Sequence, residues 1–285
     1  MNLSDPRTIR ELLAKSGFSF KKSLGQNFLI DPDVCPRMAQ AACDSETGVL
    51  EIGPGIGVLT AELARRAKKV TAIELDERLK TVLPHTLADF GNIEIIYGDV
   101  MKLDLKQLLR EKFADCEKIA VCANLPYYIT SPIVMMLLES RLPVNKITVM
   151  VQKEAAERLC AEIGTRAAGA VSVAVRYYAS PELLFTVGRE SFMPAPNVDS
   201  AVIRLSVRQT PPVILRDEKA FFRLVKACFA QRRKTLLNTV SNTTGIRKEE
   251  LRVALAALSL PETVRGEELT LEQLAALSDQ LSITR

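Results

Sequence analysis

The segment Val49-Leu50-Glu51-Ile52-Gly53-Pro54-Gly55-Ile56-Gly57 joins a short apolar run to a glycine-rich turn. Glycines after a strand let the backbone approach a ligand closely and turn into the start of a helix. The dinucleotide fingerprint G-x-G-x-x-G is incomplete, because Val58 stands at the position of the third glycine. Pro54 in the turn and the acidic Glu51 before it favour a nucleoside-type ligand without a pyrophosphate. Taken alone, the segment also fits an ordinary tight turn.

Strand-like and helix-like stretches alternate on both sides of this turn. The predicted strands are 48–52, 70–74, 93–97, 118–122, 146–151, 183–187 and 201–207. The stretches between them with helical spacing are 58–66, 79–90, 103–112, 132–140, 154–163 and 168–178. This rhythm indicates βαβ units, and therefore an α/β fold whose mostly parallel sheet has helices on both faces.

Polar residues recur at the ends of the first four predicted strands. Gly53, Glu74, Asp99 and Asn124 are separated by 21, 25 and 25 residues, about one βα repeat each. In an open α/β sheet these positions lie at the carboxyl edge of the strands, where ligands bind. We therefore expect the four residues to line one site.

Three of these positions suggest specific contacts. Glu74 can accept hydrogen bonds from both hydroxyls of a ribose. Asp99 can accept one from an adenine amino group, although it could equally cap the following turn. The segment Asn124-Leu125-Pro126-Tyr127 combines carbonyl acceptors with a flat ring, which suits a planar exocyclic amine. A Pro-Tyr turn packed on the sheet is the alternative for that segment.

The composition changes near Val207–Pro212, beyond which only helical stretches follow, at about 217–230, 232–240, 247–258 and 270–282. We therefore predict a domain over 1–207, with an N-terminal extension over 1–30, and a small all-helical domain over 208–285. Between Val207 and Arg252, eleven Lys and Arg face four Asp and Glu, a local charge of +7. This asymmetry favours an anionic polymer as partner, although a solvated helical surface could carry the same charge.

Composition excludes several classes of function. The 285 residues are 47% hydrophobic and 25% charged, as in globular proteins, and no apolar run is long enough to cross a bilayer. The single histidine, His85, leaves little material for a metal site or a serine–histidine relay. The six cysteines form no C-x-x-C pair, which suits a reducing compartment. We expect a cytoplasmic protein with no metal and no membrane partner.

The motif series as a whole resembles a known family. Glu51-Ile52-Gly53-Pro54-Gly55, then Glu74, Asp99 and Asn124-Leu125-Pro126-Tyr127, is similar to the motifs of S-adenosylmethionine-dependent adenine-N6 methyltransferases. The similarity extends to Leu24–Leu29, to Phe192–Val202 and to Gln231–Thr235, and so covers about residues 21–240. The chain resembles the ribosomal RNA adenine dimethyltransferase family closely. Within that family it is most similar to the branch that dimethylates two adjacent adenines near the 3′ end of 16S rRNA.

The resemblance implies a Rossmann-like class I methyltransferase fold, S-adenosyl-L-methionine as cofactor, and a role for each matching residue. Cofactor binding is implied for Asn27, Leu29, Gly53, Gly55, Glu74, Asp99 and Asn124. Contact with the target adenine is implied for Asn124, Leu125, Tyr127 and Phe192, with Tyr127 stacking on the base and Phe192 as the opposing ring. RNA binding is implied for Arg232, Arg233 and Lys234.

The implied partner is 16S rRNA in an immature small ribosomal subunit, bound by a monomer. Two alternative functions fit the same motifs. One is a 23S rRNA adenine-N6 methyltransferase of the antibiotic-resistance type, which shares the glycine turn and the Asn-Leu-Pro-Tyr segment. The other is a ribosome assembly factor that binds RNA on the same scaffold without catalysis.

Overall fold

The computed structural model describes residues 3–15 and 27–281. Residues 1–2 and 16–26 of the predicted N-terminal extension lie outside the described residues. Residues 24–26 of the upstream motif are among them. The chain divides into two compact units. Unit 1 comprises Met1–Ala156 with Ser180–Val207, and unit 2 comprises Glu157–Ala179 with Arg208–Arg285.

Unit 1 is built on a seven-stranded sheet. Its strands in spatial order are β4 (Ile93–Tyr97), β3 (Lys69–Glu74), β2 (Thr47–Ile52), β5 (Lys118–Asn124), β6 (Lys146–Gln152), β9 (Ser200–Val207) and β7 (Ala179–Val187). Neighbouring strands from β4 to β6 are parallel, and β9 pairs antiparallel with β6. A separate two-stranded sheet joins β1 (Phe28–Leu29) to β8 (Phe192–Met193). The predicted α/β fold with a mostly parallel seven-stranded sheet is confirmed.

Helices surround this sheet in unit 1. They are α1 (Pro6–Lys15), α2 (Val34–Ala42), α3 (Val58–Ala64), α4 (Leu83–Thr86), α5 (Leu105–Lys112), α6 (Thr130–Glu139) and the first residues of α7 (Lys153–Cys160). Successive β2 residues Val49 and Leu50 are both fully buried, although they point to opposite faces of the sheet. Both faces of the central strand are therefore covered, as a parallel sheet requires.

Two predicted helices differ most from those in the structure. The stretch 79–90 forms a 3-10 helix at Glu77–Thr81 and then the short α4, because Pro84 has no amide hydrogen with which to continue the preceding turn. The stretch 232–240 begins as a turn, and helix α10 (Leu236–Thr244) starts only after Thr235, whose hydroxyl accepts a hydrogen bond from the Asn238 amide.

Unit 2 is helical and has its own core. Its helices are α8 (Ala170–Tyr178), α9 (Glu218–Cys228), α10, α11 (Lys248–Ala257) and α12 (Leu271–Gln280). The unit includes residues 157–179, which the sequence-based division placed in the first domain. Helix α8 joins α9 because Tyr177 and Tyr178 both donate hydrogen bonds to Glu218, and the Tyr178 ring stacks on Phe222 with ring centroids 5.5 Å apart.

Candidate functional site

One cavity in unit 1 lies at the carboxyl ends of β2, β3 and β5. All ten residues predicted to bind the cofactor or the target base line it. They are Asn27, Leu29, Gly53, Gly55, Glu74, Asp99, Asn124, Leu125, Tyr127 and Phe192. The structure thus brings the predicted residues together, while their individual roles stay predictions.

The glycine turn between β2 and α3 leaves room for a ligand. Gly53, Gly55 and Gly57 have φ angles of +71°, +58° and +93°, in the left-handed region that favours glycine. Among the described residues, a Cβ on Gly53 would meet no atom within 4 Å apart from its two chain neighbours, so this position opens onto free space. A Cβ on Gly57 would lie only 2.9 Å from a Leu87 methyl carbon. Gly53 therefore allows close approach of a ligand, whereas Gly57 allows close packing of the turn.

Glu74, the last residue of β3, is held by the backbone around it. Its Oε2 accepts a hydrogen bond from the Gly55 amide at 3.1 Å, and its Oε1 accepts one from the Asp76 amide at 2.7 Å. Burial raises the pKa of this carboxyl above its ordinary value. Each oxygen keeps a second lone pair, and Glu74 lines the cavity.

Asp99 follows β4 and has two partners nearby. Its Oδ1 accepts a hydrogen bond from the Met101 amide at 3.0 Å, and its Oδ2 lies 3.6 Å from the Lys102 ammonium. The alternative prediction, that Asp99 caps the following turn, therefore describes one of its contacts. Asp99 also lines the cavity.

The Asn124-Leu125-Pro126-Tyr127 segment begins inside β5 rather than after it, since Asn124 is the last residue of that strand. The Leu125 amide donates to the Met150 carbonyl on β6 at 3.1 Å, which fixes the start of the loop. The half-buried Tyr127 lies in a short 3-10 helix, and its hydroxyl is 2.8 Å from the Ser200 hydroxyl. Carbonyl acceptors and an anchored ring therefore lie together at the cavity.

The β1–β8 pair supplies a further part of the cavity lining. Leu29 pairs with Phe192, and the Ile30 amide donates to the Ser191 carbonyl at 2.8 Å. Leu29 and Phe192 are both buried in the core and line the cavity with Asn27. This pairing explains why two segments distant in sequence contribute to one site.

Glu51 is a cavity residue that the sequence analysis did not include among the site residues. It is only 1% exposed, and among the described residues its Oε2 has no hydrogen-bond partner. Burial raises the pKa of Glu51 to about 8, and the nearby Glu74 carboxylate adds to the increase. A buried polar atom without a partner is costly, so Oε2 is a candidate contact for a hydrogen-bonding ligand. The sequence signal for Glu51 as a site residue was its position on β2, two residues before Gly53.

We expect the pKa of Glu51 to govern stability between pH 4.5 and 8. The unfolded chain releases this proton near pH 4.5, whereas the folded protein keeps it to about pH 8. The free energy of unfolding therefore falls as pH rises through this window, and Glu51→Gln removes the part of the fall that Glu51 contributes. In thermal melts, the variant and the wild type should agree near pH 4.5. At pH 8.5 the variant should melt several degrees higher, since 1 kcal/mol corresponds to about 2–4 °C for domains of this size.

The control for this prediction is Glu46→Gln, which changes an exposed glutamate in the same unit. Its melting temperature should track that of the wild type at every pH. Parallel pH profiles for Glu51→Gln and the wild type would show that Glu51 is ionised in the folded protein.

The basic residues predicted to bind RNA lie in unit 2, in the turn before α10. Arg232 donates from Nη2 to the carbonyls of Arg166 and Ala168, at 2.7 and 3.3 Å. Arg233 and Lys234 are exposed and form no ion pair among the described residues. Arg232 therefore holds a loop of its own unit, and it is exposed like the two residues after it.

Across residues 3–15 and 27–281, the structure contains no helix long and apolar enough to span a membrane. The same residues include no group of three or more His, Cys, Asp or Glu side chains placed to hold a metal ion.

Comparison with known proteins gives consistent matches over almost the whole chain. The model of the family described as "Ribosomal RNA adenine dimethylase" matches residues 17–273. "Ribosomal RNA small subunit methyltransferase A" of Geobacillus sp. (strain WCH70) is 50% identical over 284 residues, covering 98% of both chains. The protein of the same name from Bacillus licheniformis is 48% identical over 284 residues, covering 98% of this chain and 97% of its own.

Two solved structures share the fold. A dimethyladenosine transferase from Plasmodium falciparum matches with a TM-score of 0.73 and 26% identity, covering 88% of this chain and 95% of its own. The 23S rRNA methyltransferase ErmE matches with a TM-score of 0.68 and 28% identity, covering 90% and 99%. Both crystal structures support the predicted Rossmann-like class I methyltransferase fold.

Proposed function

The chain belongs to the ribosomal RNA adenine dimethylase family, and we propose that it methylates N6 of two adjacent adenines near the 3′ end of 16S rRNA. The product would be N6,N6-dimethyladenosine, with S-adenosylmethionine as the methyl donor. The observation that carries this proposal is the single cavity that joins the glycine turn and Glu74 to Asn124 and Tyr127. Relatives that are 50% identical over 97–98% of their length are named for the small ribosomal subunit, which favours 16S over 23S rRNA.

The cavity residues fit this cofactor. S-adenosylmethionine supplies an electrophilic methyl group on a sulfonium when it is bound. Glu74 would accept hydrogen bonds from the ribose hydroxyls, and Asp99 would accept one from the adenine amino group. Gly53 leaves space beside them, and Asn27 with Leu29 would border the methionine end. The unpaired Oε2 of Glu51 would accept from the ammonium group of that end.

Catalysis by this site depends on alignment and electrostatics. The Asn124 side-chain oxygen and the Leu125 carbonyl would accept the two hydrogens of the adenine amino group. These contacts would turn the nitrogen lone pair toward the methyl carbon and stabilise the positive charge that develops on nitrogen. Tyr127 would stack on the flipped base, with Phe192 opposite, and so offset part of the unstacking cost of a few kcal/mol. The site needs no strong base, because the amino proton becomes acidic only after the methyl group is attached.

Unit 2 would bind the rRNA of an immature small subunit as part of a monomeric, cytoplasmic enzyme. The exposed charge of Arg233 and Lys234 supports a role in phosphate contact. Arg232 is exposed as well, so we keep it in this contact surface, while its Nη2 also supports the turn through two backbone carbonyls.

Replacing Arg233 and Lys234 by glutamine is expected to weaken binding to small-subunit RNA and to reduce its salt dependence. Each lost phosphate contact lowers the slope of log K against log salt by roughly 0.7–0.9. The measurement is a filter-binding titration at several salt concentrations. As a control of equal charge, Arg247→Gln with Lys248→Gln should keep the wild-type slope. If the slope of the Arg233 and Lys234 variant is also unchanged, these two side chains are solvated and do not contact phosphate.

The proposed function is tested by mass spectrometry of rRNA after incubation with S-adenosylmethionine and unmethylated ribosomal subunits, small and large in separate reactions. We expect N6,N6-dimethyladenosine at two adjacent positions near the 3′ end of the small-subunit RNA. Modification of large-subunit RNA alone would instead support the alternative function, a 23S rRNA adenine-N6 methyltransferase. Absence of methylation on both subunits would favour a non-catalytic assembly factor.

A further inference from the structure

Tyr128 lies at the cavity beside Tyr127, but its side chain is 60% exposed. Among the described residues it forms no ring contact, hydrogen bond or ion pair, whereas the Tyr127 hydroxyl is anchored to Ser200. A large aromatic ring in solvent at the rim of a binding cavity gains nothing from the fold itself. Its position suits a contact with a second part of the substrate.

The local backbone determines that the two tyrosines face different groups. Both belong to the 3-10 helix Tyr127–Ile129, in which three residues complete one turn. Successive side chains therefore point about 120° apart and cannot stack on the same base. The turn itself is fixed, since the Ile129 amide and the Thr130 hydroxyl both donate to the Pro126 carbonyl at 3.2 Å.

We propose that Tyr128 stacks on the base next to the flipped adenine, and so binds the flanking nucleotide of single-stranded rRNA. The inference rests on the proposed function. When one adenine leaves its stack to reach Tyr127, the neighbouring base loses a partner on one face. An exposed ring beside the cavity restores that contact, and adjacent adenines provide a purine, with its large π surface, on at least one side of each target.

The test uses a hairpin RNA whose loop contains two adjacent adenines, in complex with the protein and S-adenosylhomocysteine. The fluorescent purine 2-aminopurine replaces the base on the 5′ or the 3′ side of the target adenine in separate probes. Wild type and Tyr128→Phe, which keeps the ring, should quench one flanking probe through stacking. Tyr128→Leu should leave it bright and bind the RNA roughly 5- to 100-fold more weakly, as expected for one lost base–aromatic stack.

Calorimetric titration with S-adenosylhomocysteine serves as the control for a folded cavity. Wild type and both variants should bind it equally, because the residues predicted to bind the cofactor are unchanged. Equal affinity and equal flanking fluorescence for wild type and Tyr128→Leu would overturn the proposal, as would a wild type that quenches neither flanking probe. Failure of the proposed function is seen separately, as absence of methyl transfer by the wild type to small-subunit RNA.

Discussion

Tyr127→Ala is expected to reduce methyl transfer by about 100-fold or more while cofactor binding is retained. The loss of one base stack is worth about 1–3 kcal/mol, and a target base that is no longer held against a ring is also misplaced relative to the methyl group. Glu74 and the glycine turn, which would bind the cofactor, have no hydrogen bond to the Tyr127 side chain among the described contacts. Single-turnover transfer to small-subunit RNA measures the first effect, and calorimetric titration with S-adenosylmethionine measures the second.

Two milder variants separate the ring from its anchor. Tyr127→Phe and Ser200→Ala each remove the hydrogen bond between the two hydroxyls, which are 2.8 Å apart. A neutral hydrogen bond contributes about 0.5–1.5 kcal/mol, so each variant should lose at most about tenfold. The double variant should be no worse than either single one, since both remove the same contact. Near-wild-type turnover of Tyr127→Ala would exclude a stacking role for this ring.

Much of the site could be predicted from sequence because its residues recur at the ends of successive strands in βα repeats. Strands in βα units run parallel, so residues at their carboxyl ends share one edge of the sheet. Gly53, Glu74, Asp99 and Asn124 follow this rule, and the structure places all four at one cavity. The resemblance to a family supplied the further residues from β1 and β8, which no local pattern connects.

Other features depend on contacts between distant residues and were not predictable. Nothing in the sequence near Arg232 indicates that its guanidinium donates to the carbonyls of Arg166 and Ala168. The grouping of α8 with α9 likewise depends on Glu218 accepting from two tyrosine hydroxyls. The raised pKa of Glu51 follows from the burial of its side chain, which depends on the tertiary structure.

Asn124→Ala is expected to lower the rate of methyl transfer by about 100- to 1,000-fold, the usual effect of removing one oriented polar group from a transition state. The adenine amino nitrogen is a weak nucleophile because its lone pair is delocalised into the ring. Without the Asn124 oxygen, the Leu125 carbonyl alone would hold one of the two amino hydrogens, and the lone pair would not be directed at the methyl carbon. Single-turnover kinetics at saturating cofactor and RNA measure this loss.

Asn124→Asp is the matched variant, because a carboxylate keeps an acceptor oxygen of similar size at the same position. It should recover part of the rate that the alanine variant loses. Both variants should fold, since Asn124 pairs through its backbone with β6 at the Met150 position. If alanine and aspartate variants were equally slow, the role of Asn124 as acceptor would be excluded. If Asn124→Ala kept near-wild-type transfer, alignment of the amine would have to come from the Leu125 carbonyl and the stacking rings alone.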